Sequence, residues 1–293
     1  MSGSSTAECF VKWARGEPTI LALVQIGSRV RAINDVDAAD AFSDWDFQVV
    51  TSRQALFKTR QWLLTAGVGK PLAYSNRMGR LGRGMKVSVV FPDGEIDLVL
   101  LPAGRLRAAK WAIATGVISY LRGACSALGD LGLFLRPGFR MLKGAESWGA
   151  FFQHVATEIP QPRLDNAAVI ALTEGFVCDY ISICRKIARG EMLAAQRWLH
   201  LQLAETNFRL LHELRLRRLR TSFPDARRIE RLVDLKVADV SISAYPSAES
   251  LSNAVEKCAR TCRILVTELL ENEWRWPNLT SARFGGSEAN DLL

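Results

Sequence analysis

Three strand-length apolar runs, each joined to a short polar motif, constrain this chain more than any other feature. Thr19 to Ile26 (TILALVQI) is a continuous apolar run stopped by Gly27, as expected of a buried strand. A second strand covers about Asp46 to Val50 and opens on Ser43-Asp44-Trp45-Asp46. Met85 to Phe91 and Glu95 to Leu101 flank Pro92-Asp93-Gly94, a turn signal that predicts a β-hairpin. Around these strands, Ser5 with Glu8 predicts a capping box on a short helix that ends before Gly16-Glu17-Pro18. Apolar residues at Ala55, Leu56, Trp62 and Leu63 predict an amphipathic helix over Ser52 to Ala66.

After Pro102 strand signals fade and helical periodicity takes over. Long helices are expected at Leu164–Ala188, Glu191–Leu219 and Ala248–Glu273, the last started by Pro246-Ser247. Gly and Pro cluster between Gly138 and Pro162, which places a domain boundary there. The expectation is therefore an α+β chain: residues 1–150 as a mixed sheet flanked by helices, and residues 151–293 as a helical bundle. The polar, Gly-rich tail after Trp276 is expected to be loose, and there is no internal repeat.

Several classes are excluded at this stage. The N-terminus lacks a basic start followed by an apolar run, so no secretory signal is read. The most apolar stretch, Trp111 to Leu135, is interrupted by Arg122 and Asp130 and is read as buried core rather than a membrane span. The six cysteines form no CxxC pair and have no histidine at ligand spacing, which argues against zinc and fits a reducing, cytoplasmic setting without a membrane partner. Neither GxGxxG nor GxxxxGK[ST] occurs. A net charge of +8 with a pI near 9.4 favours anionic partners such as nucleotides or nucleic acid.

The chemistry is carried by an ordered set of residues. Alternate strand positions project to one face, so Asp44 and Asp46 point at one spot, where Asp97 can join them from a neighbouring strand. Three converging carboxylates repel strongly unless a cation lies between them, and Mg²⁺ commonly bridges carboxylates and substrate phosphates. Two such ions can bind the attacking and leaving oxygens of an in-line displacement at phosphorus. Gly27-Ser28 offers a backbone that can approach a triphosphate closely, and Arg29 a fixed positive charge beside it. Trp45 is expected to face away from the acids, into the core. The plainer alternative makes Asp44 and Asp46 polar residues at a strand start and Asp97 a residue after a turn.

At Gly27-Ser28-Arg29, Asp44-Trp45-Asp46 and Asp97 the chain resembles the DNA polymerase β-like nucleotidyltransferase superfamily. Within it, the sequence is most similar to the streptomycin (aminoglycoside) 6-adenylyltransferase group. That group also shows a GSR turn, a DYD-type pair and an IDLTLLP-like strand, here Ile96 to Pro102, with a stretch similar to Lys186 to Leu193 shorter by one residue. The resemblance implies a nucleotidyltransferase domain followed by a helical bundle, with the acceptor held between them. It further implies metal binding at Asp44, Asp46 and Asp97, and phosphate contacts from Ser28, Arg29 and Lys186. It places a general base in the helical half, where Asp179 is the first candidate and Glu174 the second. The implied reaction is Mg²⁺-dependent transfer of AMP from ATP, or of another nucleotide from its NTP, to a small-molecule hydroxyl such as that of an aminoglycoside antibiotic, a resistance activity. The chain departs from that group in a longer loop from Ser28 to Asp44 and in Glu174 to Asp179, which replaces a tryptophan-rich stretch.

The basic charge balance suits an acidic cleft for a polycationic drug poorly, so a macromolecular acceptor (tRNA, other RNA or protein) is the alternative, and a degenerate sensor domain a third. A basic Gly-rich loop, Arg77 to Lys86, could hold a triphosphate or an RNA backbone, or be a solvated loop. Leu214 to Arg220 with Arg227, Arg228 and Arg231 is read as a solvated helix face, and His154, His200 and His212 as structural or surface residues.

Overall fold

The computed structural model describes residues 5–32, 35, 38–79, 84–233, 244–271 and 273–279. The chain divides into two compact units, Met1–Pro162 and Arg163–Leu293. Residue 150, where a boundary is expected, falls inside helix Ala145–Thr157, whose Trp148, Phe151, Phe152 and Val155 are buried in the first unit's core.

The first unit is built on strands β1 (Ile20–Ile26), β2 (Trp45–Thr51), β3 (Ala73–Met78), β4 (Met85–Phe91), β5 (Gly94–Pro102) and β6 (Arg140–Lys143). They form one six-stranded sheet in the order β3-β4-β5-β2-β1-β6. Only the central β2–β5 pair is parallel. Alternation along β5 sends Ile96, Leu98 and Leu100 to one face, and Asp97, Val99 and Leu101 to the other. On the first face, Leu23, Phe47, Val87, Val89 and Leu98 pack under helices α1 (Thr6–Gly16) and α2 (Gln61–Ala66) through Phe10 and Trp62. On the second, Val24, Val50 and Leu101 pack under α3 (Ala103–Ala114), α4 (Arg122–Leu135) and α5 (Ala145–Thr157). The capping box of Ser5 and Glu8 opens α1 as expected.

Three expectations are corrected in this unit. The helix read over Ser52 to Ala66 is two short pieces, a 3₁₀ turn at Gln54–Phe57 and α2. The break has a cause in β3. The Tyr74 hydroxyl donates its one hydrogen to the Phe57 carbonyl (2.7 Å), with that of Thr59 sharing it at 3.2 Å, and Asn76 Nδ2 donates to that of Lys58 (2.9 Å), so these acceptors serve an edge strand. In the stretch read as a loop from Arg77 to Lys86, the two ends are paired strand, Arg77 with Lys86 and Met78 with Met85, and residues 80–83 lie outside the described residues. The stretch Trp111 to Leu135 is buried only in part: Leu128, Leu131 and Leu135 are core, while Trp111 and Tyr120 are exposed.

The second unit is helical: α6 (Asn166–Ala188), α7 (Met192–Trp198), a π turn at Leu199–Ala204, α8 (Glu205–Arg217), α9 (Ile229–Leu232) and α10 (Ala248–Leu270). Segments α7, the π turn and α8 make one continuous right-handed run, since Trp198, Leu199, Ala204 and Glu205 all keep helical backbone angles. Asp165 and Ser247 accept N–H bonds as N-caps of α6 and α10. Among the described residues α6 alone is long and apolar enough to cross a membrane, and its Val169, Phe176, Tyr180 and Ile183 are core residues packed with α7, α8 and α10. Cys258 and Cys262 are fully buried in that core, and Leu279, in the segment expected to be loose, is buried against it.

Of the arginines in Leu214 to Arg220, Arg218 and Arg220 are exposed as expected, while Arg215 and Arg217 are turned to the protein. Arg217 donates to Glu213, Asn166 and the carbonyls of Leu164 and Leu269, while Arg215 holds the carbonyls of Thr221 and Leu232. Glu213, 2% exposed, also takes Arg163 and the Leu164 N–H. Burial alone would raise its carboxyl, but the donors of Arg163, Leu164 and Arg217 outweigh that and hold it below the ordinary glutamate range. A depressed pKa contributes stability that is complete above the ordinary glutamate range and is lost as the pH falls through the lowered value. Glu213→Gln should therefore cost about 2–3 kcal/mol, below the ~3–5 kcal/mol of a fully buried pair, because both guanidiniums keep some solvent contact. Urea unfolding of wild type and variant measures this, and the gap should narrow as the pH falls below the ordinary glutamate range.

Candidate active site

The sheet register brings the acidic residues together. Asp46 and Asp97 are directly paired on the parallel strands β2 and β5, and Asp44 lies two positions before Asp46, on the same face. One carboxylate oxygen from each of Asp44, Asp46 and Asp97 lies within 4.8 Å of the others. Asp97 is buried, whereas Asp44 and Asp46 are half-exposed, so the cluster opens to solvent on one side.

Gly27 follows β1, whose last residue, Ile26, pairs with Asp46. Its φ of 82° is the left-handed region that glycine adopts without strain, and a methyl added there would overlap the Asp46 carboxylate. The glycine thus lets an acid lie directly against the backbone. Ser28 follows, buried, at the start of a 3₁₀ turn Ser28–Val30.

Arg29 is engaged where β2 begins. Its Nε and Nη2 donate to the carbonyls of Asp44 (3.0 Å) and Ser43 (2.5 Å), and its guanidinium lies 4.3 Å from the Trp45 ring centroid. These contacts fix the chain where β2 begins. Trp45 faces away from the acids, as expected, and lies parallel to Phe47 over the core shared with α1.

Four residues of the site were not assigned from sequence. Lys86 on β4 forms an ion pair with Asp97 Oδ2, and the Ser88 hydroxyl, whose residue is paired with Asp97 in register, donates to Oδ1. Glu95, two positions before Asp97, has its carboxyl pushed up by partial burial and then by the negative charges of Asp97 and Asp44, against Lys86 and Arg77. Gln48, two positions after Asp46, is fully buried, and neither of its amide atoms has a hydrogen-bond partner among the described residues. A lone amide inside the run DFQVV was the readable signal for Gln48. Lys86, Ser88 and Glu95 depend on strand register, which no local pattern reveals.

Asp179, Glu174 and Lys186 lie on α6 in the second unit. Asp179 is half-buried, which raises its carboxyl, and Glu174 is exposed. Lys186 pairs with Glu191 (3.3 Å) and lies 4.8 Å from the Trp198 ring centroid. His212, in the same unit, contacts the Ser222 hydroxyl through Nδ1 at 2.7 Å, and burial lowers its pKa.

No protein-family model matches the chain, and no curated protein matches it. Among solved structures the chain is similar to an aminoglycoside 6-adenyltransferase from Bacillus subtilis, at 13% identity and TM-score 0.40, covering 93% of this chain and 92% of that one. It is also similar to a nucleotidyltransferase-like protein from Exiguobacterium sibiricum 255-15, at 10% identity and TM-score 0.34, covering 91% of this chain and 76% of that one.

Gly27→Ala tests the close approach. The methyl forces Asp46 out of place and so breaks the convergence of the three carboxylates. The variant should fold with a small loss of unfolding midpoint yet bind Mn²⁺ measurably more weakly in an electron paramagnetic resonance titration.

Proposed function

We propose that this chain is a divalent-metal-dependent nucleotidyltransferase that moves AMP from ATP to a hydroxyl of a small molecule of the aminoglycoside class, such as streptomycin. The observation that carries this reading is the convergence of Asp44, Asp46 and Asp97 on one point beside the Gly27-Ser28 turn. The donor set fits the group it would hold: three anionic oxygen ligands, without nitrogen or sulfur, suit a hard cation such as Mg²⁺. The resemblance at Gly27-Ser28-Arg29, Asp44-Trp45-Asp46 and Ile96 to Pro102 supports the nucleotide as donor and nominates the acceptor.

When bound, a pair of Mg²⁺ ions supplies charge neutralisation at the α-phosphorus and at the attacking and leaving oxygens. Asp44, Asp46 and Asp97 hold that charge in place, and Ser88 and Lys86 fix the Asp97 carboxylate. Gly27 lets the Asp46 carboxylate lie against the backbone, and the Ser28 hydroxyl is the donor next to it. Arg29 acts through Ser43 and Asp44, whose position it sets. In the transfer, the acceptor oxygen forms a bond to the α-phosphorus, the bond to the bridging oxygen breaks and pyrophosphate leaves. The acceptor's proton goes to a general base, assigned to Asp179 with Glu174 second. Partial burial raises the Asp179 carboxyl, which makes it a stronger base than an exposed aspartate.

Incubation with Mg²⁺, ATP and streptomycin should release pyrophosphate and add one AMP mass to the drug. Asp46→Asn and Asp97→Asn should each reduce the rate by at least about 100-fold, and chelation should abolish it. Silence across a broad aminoglycoside panel overturns the acceptor. A net charge of +8 favours a second reading, in which the same chemistry acts on RNA or protein; labelled NTPs mixed with total RNA or lysate then mark the acceptor. If the aspartate variants match wild type in every assay, the catalytic reading falls and a binding module replaces it.

A further inference from the structure

On the face of the sheet opposite the carboxylates, α1, β1 and β6 enclose a cavity of about 570 Å³. Its floor holds Gln25, which is 1% exposed. Arg140, paired with Gln25 across the β1–β6 ladder, donates from Nε (3.1 Å) and Nη2 (2.5 Å) to Gln25 Oε1. A guanidinium carries donors only, so this contact settles which end of the amide is oxygen. The other end, Nε2, is buried and has no hydrogen-bond partner among the described residues. A buried N–H is costly to leave unpaired, and what it lacks is an acceptor.

The walls agree with that requirement. Lys12, Arg15 and Arg140 bring three positive charges to the cavity. Glu8 is the one acid lining it, and its carboxylate accepts the Ser5 N–H in the capping box of α1. Leu142 and the Trp45 ring supply an apolar side. Neither the proposed transfer chemistry nor the metal cluster uses Gln25 or Arg140.

We infer that this cavity is a binding site for a small organic carboxylate. The carboxylate oxygens accept from Gln25 Nε2 and the Arg140 guanidinium, and the apolar body lies against Leu142 and Trp45. Hydrogen bonds to an ionised carboxylate are stronger than neutral ones, so both Gln25 and Arg140 contribute to holding it.

The test is calorimetric titration of the full chain with sodium benzoate, with inorganic phosphate as an anion lacking the apolar body. Saturable binding of benzoate, tighter than that of phosphate, is expected. Gln25→Leu should weaken benzoate by at least about tenfold while keeping the unfolding midpoint at or above wild type, because it removes a buried unpaired donor. Arg140→Met, at an exposed position, should weaken it as well and serves if Gln25→Leu does not fold. Asp97→Asn should leave benzoate binding unchanged, which separates this site from the transfer chemistry. Absence of saturable benzoate binding, equal affinity in Gln25→Leu, or phosphate binding as tight as benzoate would each overturn the assignment.

Discussion

The pairing of Asp46 with Asp97 across the parallel β2–β5 ladder is the constraint on which the rest of the first unit depends. Two carboxylates within 4.8 Å repel by about 3–4 kcal/mol at the effective dielectric of a partly exposed site, and Asp44 adds a third charge. The offset comes from Lys86 and Ser88 on the next strand, and from the burial of β2 and β5 on both faces. Phe47, Val49, Leu98 and Leu100 on one side and Val50 and Leu101 on the other each contribute about 1.5–3 kcal/mol by leaving water. Together they exceed the repulsion, so the strands cannot separate to relieve it. The repulsion remains as a standing demand for positive charge.

The alternation of residues 44 to 46 follows from the same geometry. With acids on one face at Asp44 and Asp46, the residue between them must face the α1 core, and Trp45 does so, parallel to Phe47. Arg29 then lies over that ring while holding the carbonyls of Ser43 and Asp44. The tryptophan and the arginine therefore act as a brace on the chain leading into the site. Gly27 completes the arrangement from β1, because any side chain there would occupy the volume of the Asp46 carboxylate.

Much of this was legible before any coordinates. The apolar run to Ile26, the turn at Pro92-Asp93-Gly94 and the three long helices of the second unit are local signals, and local signals survive folding when burial agrees with them. The misreadings share a different cause. Residues 52–66 carry helical periodicity, yet the carbonyls of Phe57, Lys58 and Thr59 are taken by Tyr74 and Asn76 of a strand that has little apolar pattern of its own. Strands β3 and β6 sit at the two edges of the sheet, where only part of each residue is buried, and so lack the apolar signature of the centre. Lys86 and Ser88 were visible as residues but not as ligands of Asp97, because a shift of one position in the β4–β5 register would turn both away.

Arg29 and the arginines of α8 teach the same lesson about charge. A basic residue beside a presumed phosphate site invites an electrostatic role, and a basic run on a helix invites a solvated one. Arg29 instead spends two donors on backbone carbonyls, and Arg217 bonds to two side chains and two carbonyls around a buried Glu213. Guanidinium is suited to this because its fixed fork of donors can satisfy several carbonyls at once while its plane covers an aromatic ring. A lysine ammonium is a compact point charge, and Lys86 is used as one, against a single carboxylate oxygen. The net charge of +8 thus overstates the positive surface available to a partner, since some of its strongest contributors are turned inward to hold the chain. That weakens the inference from net charge to a nucleic-acid acceptor, and leaves the carboxylate cluster as the feature with the greater claim on function.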